Sequence, residues 1–304
     1  MFKSRRHHYV PQFLTNYFTN NDDQIFIYDK FEDKIYKGSA VNLFVENNRN
    51  TFANLEGVND DVIERMYSTL DNKFSSVLTE ISTSRVLSNS NFELLLFFAY
   101  ISKWRVPQYD AAFSEAKDYF TVDDLGIGIK NAFNEKLNIN LEDYFDLEMH
   151  QEIKRILLAL QPFRNKDDFK RILKNSFLIY TPISSFIGDC PFNESTIISD
   201  VIFEDFVFTV TKDLTLVYSS RIDKNEIQDF IIKGDQKKVD LFLRDFSTSR
   251  DISTLALAHR NIGCCNKEYL EHLIQVYKDH IRKNNTAPFN STVFNLLYRF
   301  KEYI

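Results

Sequence analysis

Two adjacent histidines, His7 and His8, follow Lys3, Arg5 and Arg6 and lead into Tyr9-Val10-Pro11-Gln12. An imidazole gains or loses charge near neutral pH, so it can give or take a proton in a reaction without a large pKa shift. In an extended segment neighbouring side chains point to opposite faces. At most one ring of the pair can therefore face a given substrate while the other braces the structure. The residue before a proline avoids the helical region, so Tyr9-Val10 is extended and Pro11 suits a first helical position. A helix starting at Pro11-Gln12 presents free N–H groups and the positive end of its dipole, both suited to an anion. Arg6, His7, His8 and Gln12 thus combine into a phosphate site with a general acid or base built in. The same residues also suit a docked arm whose imidazoles bond to backbone. No HxH or HExxH spacing occurs, so no metal site is expected.

Arg105 closes an almost wholly apolar stretch, Phe92 to Trp104, and should be at least partly buried. A buried guanidinium needs a carboxylate or an anionic ligand, because an unpaired buried charge is very costly. Glu64, Asp71 and Asp189 are the candidate partners, and phosphate held by the arginine fork is the alternative. Glu64 and Asp71 lie two turns apart on one helix face, about 10.5 Å along the axis, too far to share a metal or a proton. A solvated polar face is the expectation for that pair. Asp189 follows a strand, where side chains open onto clefts, so it could orient a histidine or bind a metal. Asp before Cys-Pro is equally ordinary turn chemistry. Cys264-Cys265 lies near His259, but sequence proximity makes neither a base nor a lowered pKa. Gly263 reads as a helix C-cap, with the two cysteines at a junction between helices.

The elements that must position these residues follow from periodicity. Phe13, Leu14, Tyr17 and Phe18 share a helical face, and Gln24–Tyr28 with Lys34–Lys37 reads as a hairpin. Ile63, Met66, Tyr67, Leu70, Phe74, Val77, Leu78 and Ile81 form a helical stripe after a cap at Asp60 or Asp61. Phe92–Trp104 reads as a buried central helix, followed by helices near 108–120, 148–160 and 168–174. Strand character returns at Phe177–Tyr180, Thr196–Ile198, Phe206–Val210 and Leu214–Tyr218. Helices close the chain near Lys237–Phe246, Ile252–Ile262, Lys267–Arg282 and Thr292–Tyr303. The expected class is α+β, helix-rich with a small, mostly antiparallel sheet. A single domain over 1–304 is expected, with a possible subdivision near 175.

Composition removes several functions. The 304 residues hold 29 Phe and 15 Tyr, enough ring area for a substantial core. Only 7 Gly occur, and neither GxGxxG nor GxxxxGK[ST] is present, which disfavours dinucleotide binding and P-loop chemistry. Gly126-Ile127-Gly128 lacks both the preceding strand and the third glycine. Three cysteines supply neither a disulfide framework nor paired zinc knuckles. The basic start leads into no apolar segment, so it does not read as a signal peptide, and Leu94–Ile101 is too short to span a membrane. A soluble, cytoplasmic protein without a membrane partner is expected. A net charge of -6 argues against coating a long nucleic acid, though not against a local basic site.

The run Arg6-His7-His8-Tyr9-Val10-Pro11-Gln12-Phe13-Leu14 resembles the opening signature of a largely bacterial family, domain of unknown function 4238. Arg105-Val106-Pro107 is similar to that family's Arg-Thr-Pro element. Phe177–Phe192, ending Gly188-Asp189-Cys190-Pro191-Phe192, resembles its Thr-Ser-Asp-Asn-Pro-Val strand and turn, and Asp213-Leu214-Thr215 its Pro-Leu-Thr/Ser-Pro strand. Gly188, Cys190 and Asp213 depart from the usual Ser, Asn and Pro. Some members are associated with defence against phage, which implies an effector or sensor role. The expectation is a phosphodiesterase-like effector, a nuclease acting on RNA or DNA. His7 or His8 would be its general acid/base, Gln12, Arg6 and Arg105 its phosphate contacts, and Asp189 its orienting carboxylate. The alternative is a non-enzymatic sensor or interaction module binding an anionic ligand or a phage component. The expected partner is nucleic acid or a small phosphorylated ligand, and cofactor and oligomeric state stay open.

Overall fold

The structure, a computed structural model, describes residues 6–53, 59–119, 130, 133–136, 151–195, 204–283 and 291–304. Lys3, Arg5, the Gly126–Gly128 cluster and the strand expected at Thr196–Ile198 lie outside the described residues. The chain divides into two compact units, Met1–Tyr9 with Val45–Phe169, and Val10–Phe44 with Lys170–Ile304.

The chain opens with strand β1 (Arg6–His8) and helix α1 (Gln12–Thr15), which runs into a 3-10 turn, Asn16–Phe18. The expected hairpin forms as β2 (Ile25–Asp29) and β3 (Lys34–Gly38). Short strands β4 (Val45–Asn47), β5 (Phe52–Ala53) and β6 (Asn59–Asp60) lead to helices α2 (Val62–Ser84), α3 (Asn89–Arg105) and α4 (Asp110–Tyr119). Helices α5 (Ile153–Arg164) and α6 (Lys166–Asn175) precede strands β7 (Ser176–Tyr180), β8 (Ile187–Gly188), β9 (Phe192–Glu194), β10 (Phe206–Thr211) and β11 (Leu214–Tyr218). The rest is α7 (Lys224–Lys233), α8 (Gln236–Leu257), β12 (Asn261–Cys264), α9 (Lys267–Lys283) and α10 (Thr292–Tyr298), with a closing 3-10 turn at Phe300–Tyr303. The class is α+β, with small antiparallel sheets among dominant helices.

In the first unit β1 pairs antiparallel with β4, placing His7 opposite Glu46 and His8 opposite Val45. The apolar stripe of α2 buries Ile63, Tyr67, Phe74, Val77, Leu78 and Ile81. Ser88 caps α3 by accepting from Asn91 N, and α3 buries residues on nearly every face, as its apolar run requires. It stops at Arg105 because Val106 must be extended before Pro107. Phe113 of α4 packs with Leu157 and Leu158 of α5, and Trp104 covers them.

Among the described residues the second unit holds two four-stranded antiparallel sheets, ordered β7-β11-β10-β9 and β3-β2-β12-β8. Phe177, Ile179, Val207 and Val217 of the first pack against Phe230, Phe242, Phe246 and Phe294 from the helices. Leu255, Leu270, Leu273 and Ile274 cover the second through Tyr28 and Ile262. Two helices expected near 237–246 and 252–262 are one helix, α8, and Ile262 belongs to strand β12. Gly263 is therefore not a helix C-cap. It sits mid-strand opposite Ile27 and Ile187, where a side chain would meet Ile25. Helix α7 was not expected, although Asp223 with Glu226 supplies a capping signal, and the Asp223 carboxylate does accept from Asn225 N. Among the described residues no helix is long and apolar enough to cross a membrane.

Candidate functional site

Alternation along β1 divides the histidine pair as a strand must: His7 is fully buried, His8 half-buried, and Arg6 exposed. Arg6 and His8 therefore share one face and His7 takes the other. His7 Nδ1 accepts the backbone N–H of Asn50 at 2.9 Å. That nitrogen cannot also hold a proton, so the ring carries its hydrogen on Nε2. The Asn50 side chain then donates to Glu64 Oε2 at 2.7 Å, tying β1 to the first turn of α2.

Glu64, Tyr67 and Asp71 recur at helical spacing along α2 and turn toward this region. Arg105 arrives from the end of α3, only 3% exposed, and its Nη1 donates to both Asp71 oxygens at 2.7 and 2.9 Å. Its guanidinium also lies over the Tyr67 ring, 4.3 Å from the centroid. The expected solvated face for Glu64 and Asp71 is corrected: one holds Asn50 and the other pairs with Arg105. Of the partners weighed for Arg105, Asp71 is the one that pairs.

The electrostatics follow from burial and proximity. Burial pushes the Asp71 carboxyl above its ordinary value. Arg105 opposes that rise, Glu64 adds to it, and the charge of His8 opposes it. Burial alone would lower the Arg105 pKa, but the Asp71 carboxylate outweighs it and keeps the guanidinium charged. Burial pushes the Tyr67 phenol up to about 12, against the opposing charges of Arg105, Arg155 and Arg49. Two polar atoms one turn apart on α3, Arg105 Nε and Ser102 Oγ, are buried and have no hydrogen-bond partner among the described residues.

Two further arginines, unremarked in the sequence, fix the end of α3. Arg49 Nε donates to Arg105 O at 3.3 Å, and Arg155 Nη1 donates to Trp104 O at 3.1 Å. Both also grip Asp110, at 2.6 Å from Arg49 and 2.9 Å from Arg155. Cations at a helix C-terminus satisfy its last carbonyls and complement its dipole. Arg105 is thereby held from both sides of its backbone. Three Arg and two Asp scattered over a hundred residues leave no local sequence signal.

Gln12 and Asp189 belong to the second unit. Helix α1, which Gln12 begins, has four residues, so the anion-binding dipole expected there is not built. The Asp189 carboxylate is buried and accepts three backbone N–H groups: His259 at 2.8 Å, Arg260 at 2.7 Å and Asn261 at 3.0 Å. Lys30 Nζ donates alongside to Leu255 O and Ala258 O at the end of α8. The two side chains staple the turn from α8 into β12, which is turn chemistry at Asp189. Among the described residues no three His, Cys, Asp or Glu side chains are placed to hold a metal ion.

A family model described as protein of unknown function (DUF4238) matches residues 6–184, which takes in β1, α2 and α3 and so every residue of this cluster. No curated protein and no solved structure matches the chain.

Proposed function

This chain belongs to the family described as protein of unknown function, DUF4238, and from that premise we propose that it is a phosphodiester hydrolase, acting on RNA or DNA as an effector of phage defence. The division of the histidine pair by β1 carries the reading. His7, with its lone-pair nitrogen already engaged by Asn50, is a brace. His8, half-buried and close enough to act electrostatically on Asp71, is the acid–base group. A carboxylate beside an imidazole stabilises its charged form, which is what a proton-transferring histidine needs. Arg6 lies on the His8 face, about 6.8 Å along the strand, and meets one phosphate oxygen. The buried Arg105 Nε is a donor that a second anion oxygen would satisfy.

The reaction class is in-line displacement at phosphorus. His8 takes the proton of the attacking hydroxyl or water, or returns one to the leaving oxygen, while the arginines offset charge on the phosphoryl group. A non-enzymatic sensor is the second reading. It is favoured by Arg105 being already paired with Asp71, which gives the guanidinium a structural partner in place of a reacting phosphate.

Incubating the purified protein with end-labelled single- and double-stranded RNA and DNA separates the two. The expected result is cleavage that His8→Ala reduces by about 100-fold or more with an unchanged melting temperature. His7→Ala should instead chiefly lower the melting temperature. Nucleic-acid binding without turnover would move the assignment to the sensor, and no binding to any nucleic acid or nucleotide would overturn the nuclease and favour an interaction module.

A further inference from the structure

We propose that Cys265 is a second reactive site, a nucleophilic thiol that exchanges with small anionic disulfides of the glutathione class in a cavity of the second unit. The cavity is about 510 Å³ and is lined by Asn20, Ser184, Lys212, Cys265 and Lys267, among others. That is within the roughly 300–1,000 Å³ range of small-ligand sites. None of its residues belongs to the His8 and Arg105 cluster.

Backbone topology makes the site. Strand β12 ends at Cys264, whose side chain is fully buried against Leu270 and Phe186. Cys265 follows, half-buried, before Asn266 caps α9 by accepting from Tyr269 N at 3.0 Å. Ser185 bonds through its N–H and hydroxyl to Lys212 O, which fixes the Ser184 and Lys212 loops beside each other. The thiol thus sits just before the N-terminus of a 17-residue helix, with a second thiol, a hydroxyl and a lysine around it.

These neighbours act on Cys265 in one direction. The Cys264 thiol, hydrogen-bonded to its sulfur, lowers the Cys265 pKa most; burial opposes, and the Ser184 hydroxyl and Lys212 charge lower it further, to about 6. Cys264 is correspondingly pushed up by that hydrogen bond and by burial, and Asp251 adds to its rise, so it stays a thiol. The other charges at the cavity are Lys267, which pairs with Glu271 at 3.2 Å, and Glu268.

In the exchange, the Cys265 thiolate attacks one sulfur of the disulfide and forms a new S–S bond. The old S–S bond breaks, its electron pair leaves on the departing sulfur, and that thiolate takes a proton from water. The small disulfide is itself the oxidant: the Cys265 sulfur is oxidised to the disulfide level as the departing sulfur is reduced to a thiol. Lys212 and Lys267 would receive the carboxylates of the disulfide, which selects anionic over cationic partners.

The test uses the full chain and three probes. Iodoacetamide, followed by peptide mapping across pH, should label Cys265 first, with a rate midpoint near pH 6. At pH 7 that rate should exceed the rate in denatured protein by about two- to threefold, the gain in thiolate fraction less its lower nucleophilicity. Cys190 and Cys264 are buried and should react only on unfolding. Oxidised glutathione should form a mixed disulfide faster than cystamine, and Lys212→Gln should reduce that preference and raise the iodoacetamide midpoint. Cys265→Ser should abolish both adducts in a folded protein. A midpoint near pH 8.5, or equal labelling of Cys190, would overturn the nucleophile, and a preference for cystamine would overturn the ligand class.

Discussion

Asp71→Ala leaves the Arg105 guanidinium buried over the Tyr67 ring with no carboxylate. Stranding a buried charge costs about 3–5 kcal/mol, whereas replacing both partners by apolar groups of similar volume is close to neutral. Chemical denaturation of Asp71→Ala should show that loss, and the double variant Asp71→Leu with Arg105→Met should recover most of it. Equal loss in both would mean that Arg105 is needed for something other than its pair. This residue scale was only partly legible. Arg105 at the end of an apolar run had to find a carboxylate, and Asp71 was one of three that could serve. Asn50, which holds His7 with its backbone and Glu64 with its side chain, was invisible because an asparagine within a turn is commonplace.

Strands and helices came through where the period was strong. The stripe of α2, the hairpin of β2 and β3, and the apolar α3 lie within a few residues of expectation. The miss at β12 has a physical cause: a strand buried on both faces has no alternation to read, and Ile252–Ile262 also fits a helix. Gly263 tests this. A Cβ there would clash with Ile25 Cδ1 and lie 3.2 Å from Leu43 Cδ2, both side chains buried. Gly263→Ala should therefore destabilise by about 1–3 kcal/mol through overpacking. Adding Ile25→Val removes the Cδ1 methyl and should return much of the loss, read as a coupling in thermal melts. Additive losses would place the strain elsewhere.

At the scale of the whole molecule, the net charge of -6 limits how nucleic acid could be engaged. Arg6 and Arg105 are the cations offered to phosphate at the proposed site, and Glu64 and Asp71 lie beside them. Binding should involve few phosphates, with a log–log salt slope of about two to three released ions. Titrating labelled oligonucleotides across salt would show it. A steep slope with preference for duplex would demand a broad basic face instead.

The sequence by itself determined the α+β class, the helical stripes, the burial of Arg105 and the placement of His7 and His8 on opposite faces of a strand. Each follows from local periodicity or from the cost of an unpaired charge, and needs no knowledge of what lies across the fold. Tertiary structure decided which histidine was which, since alternation makes the faces opposite but does not say which one meets Asn50. It also decided that Asp189 serves three backbone N–H groups seventy residues away. Cys265 came beside Ser184 and Lys212 the same way. Such contacts depend on long-range strand pairing, β12 against β2 and β8, and their partners leave no pattern along the chain.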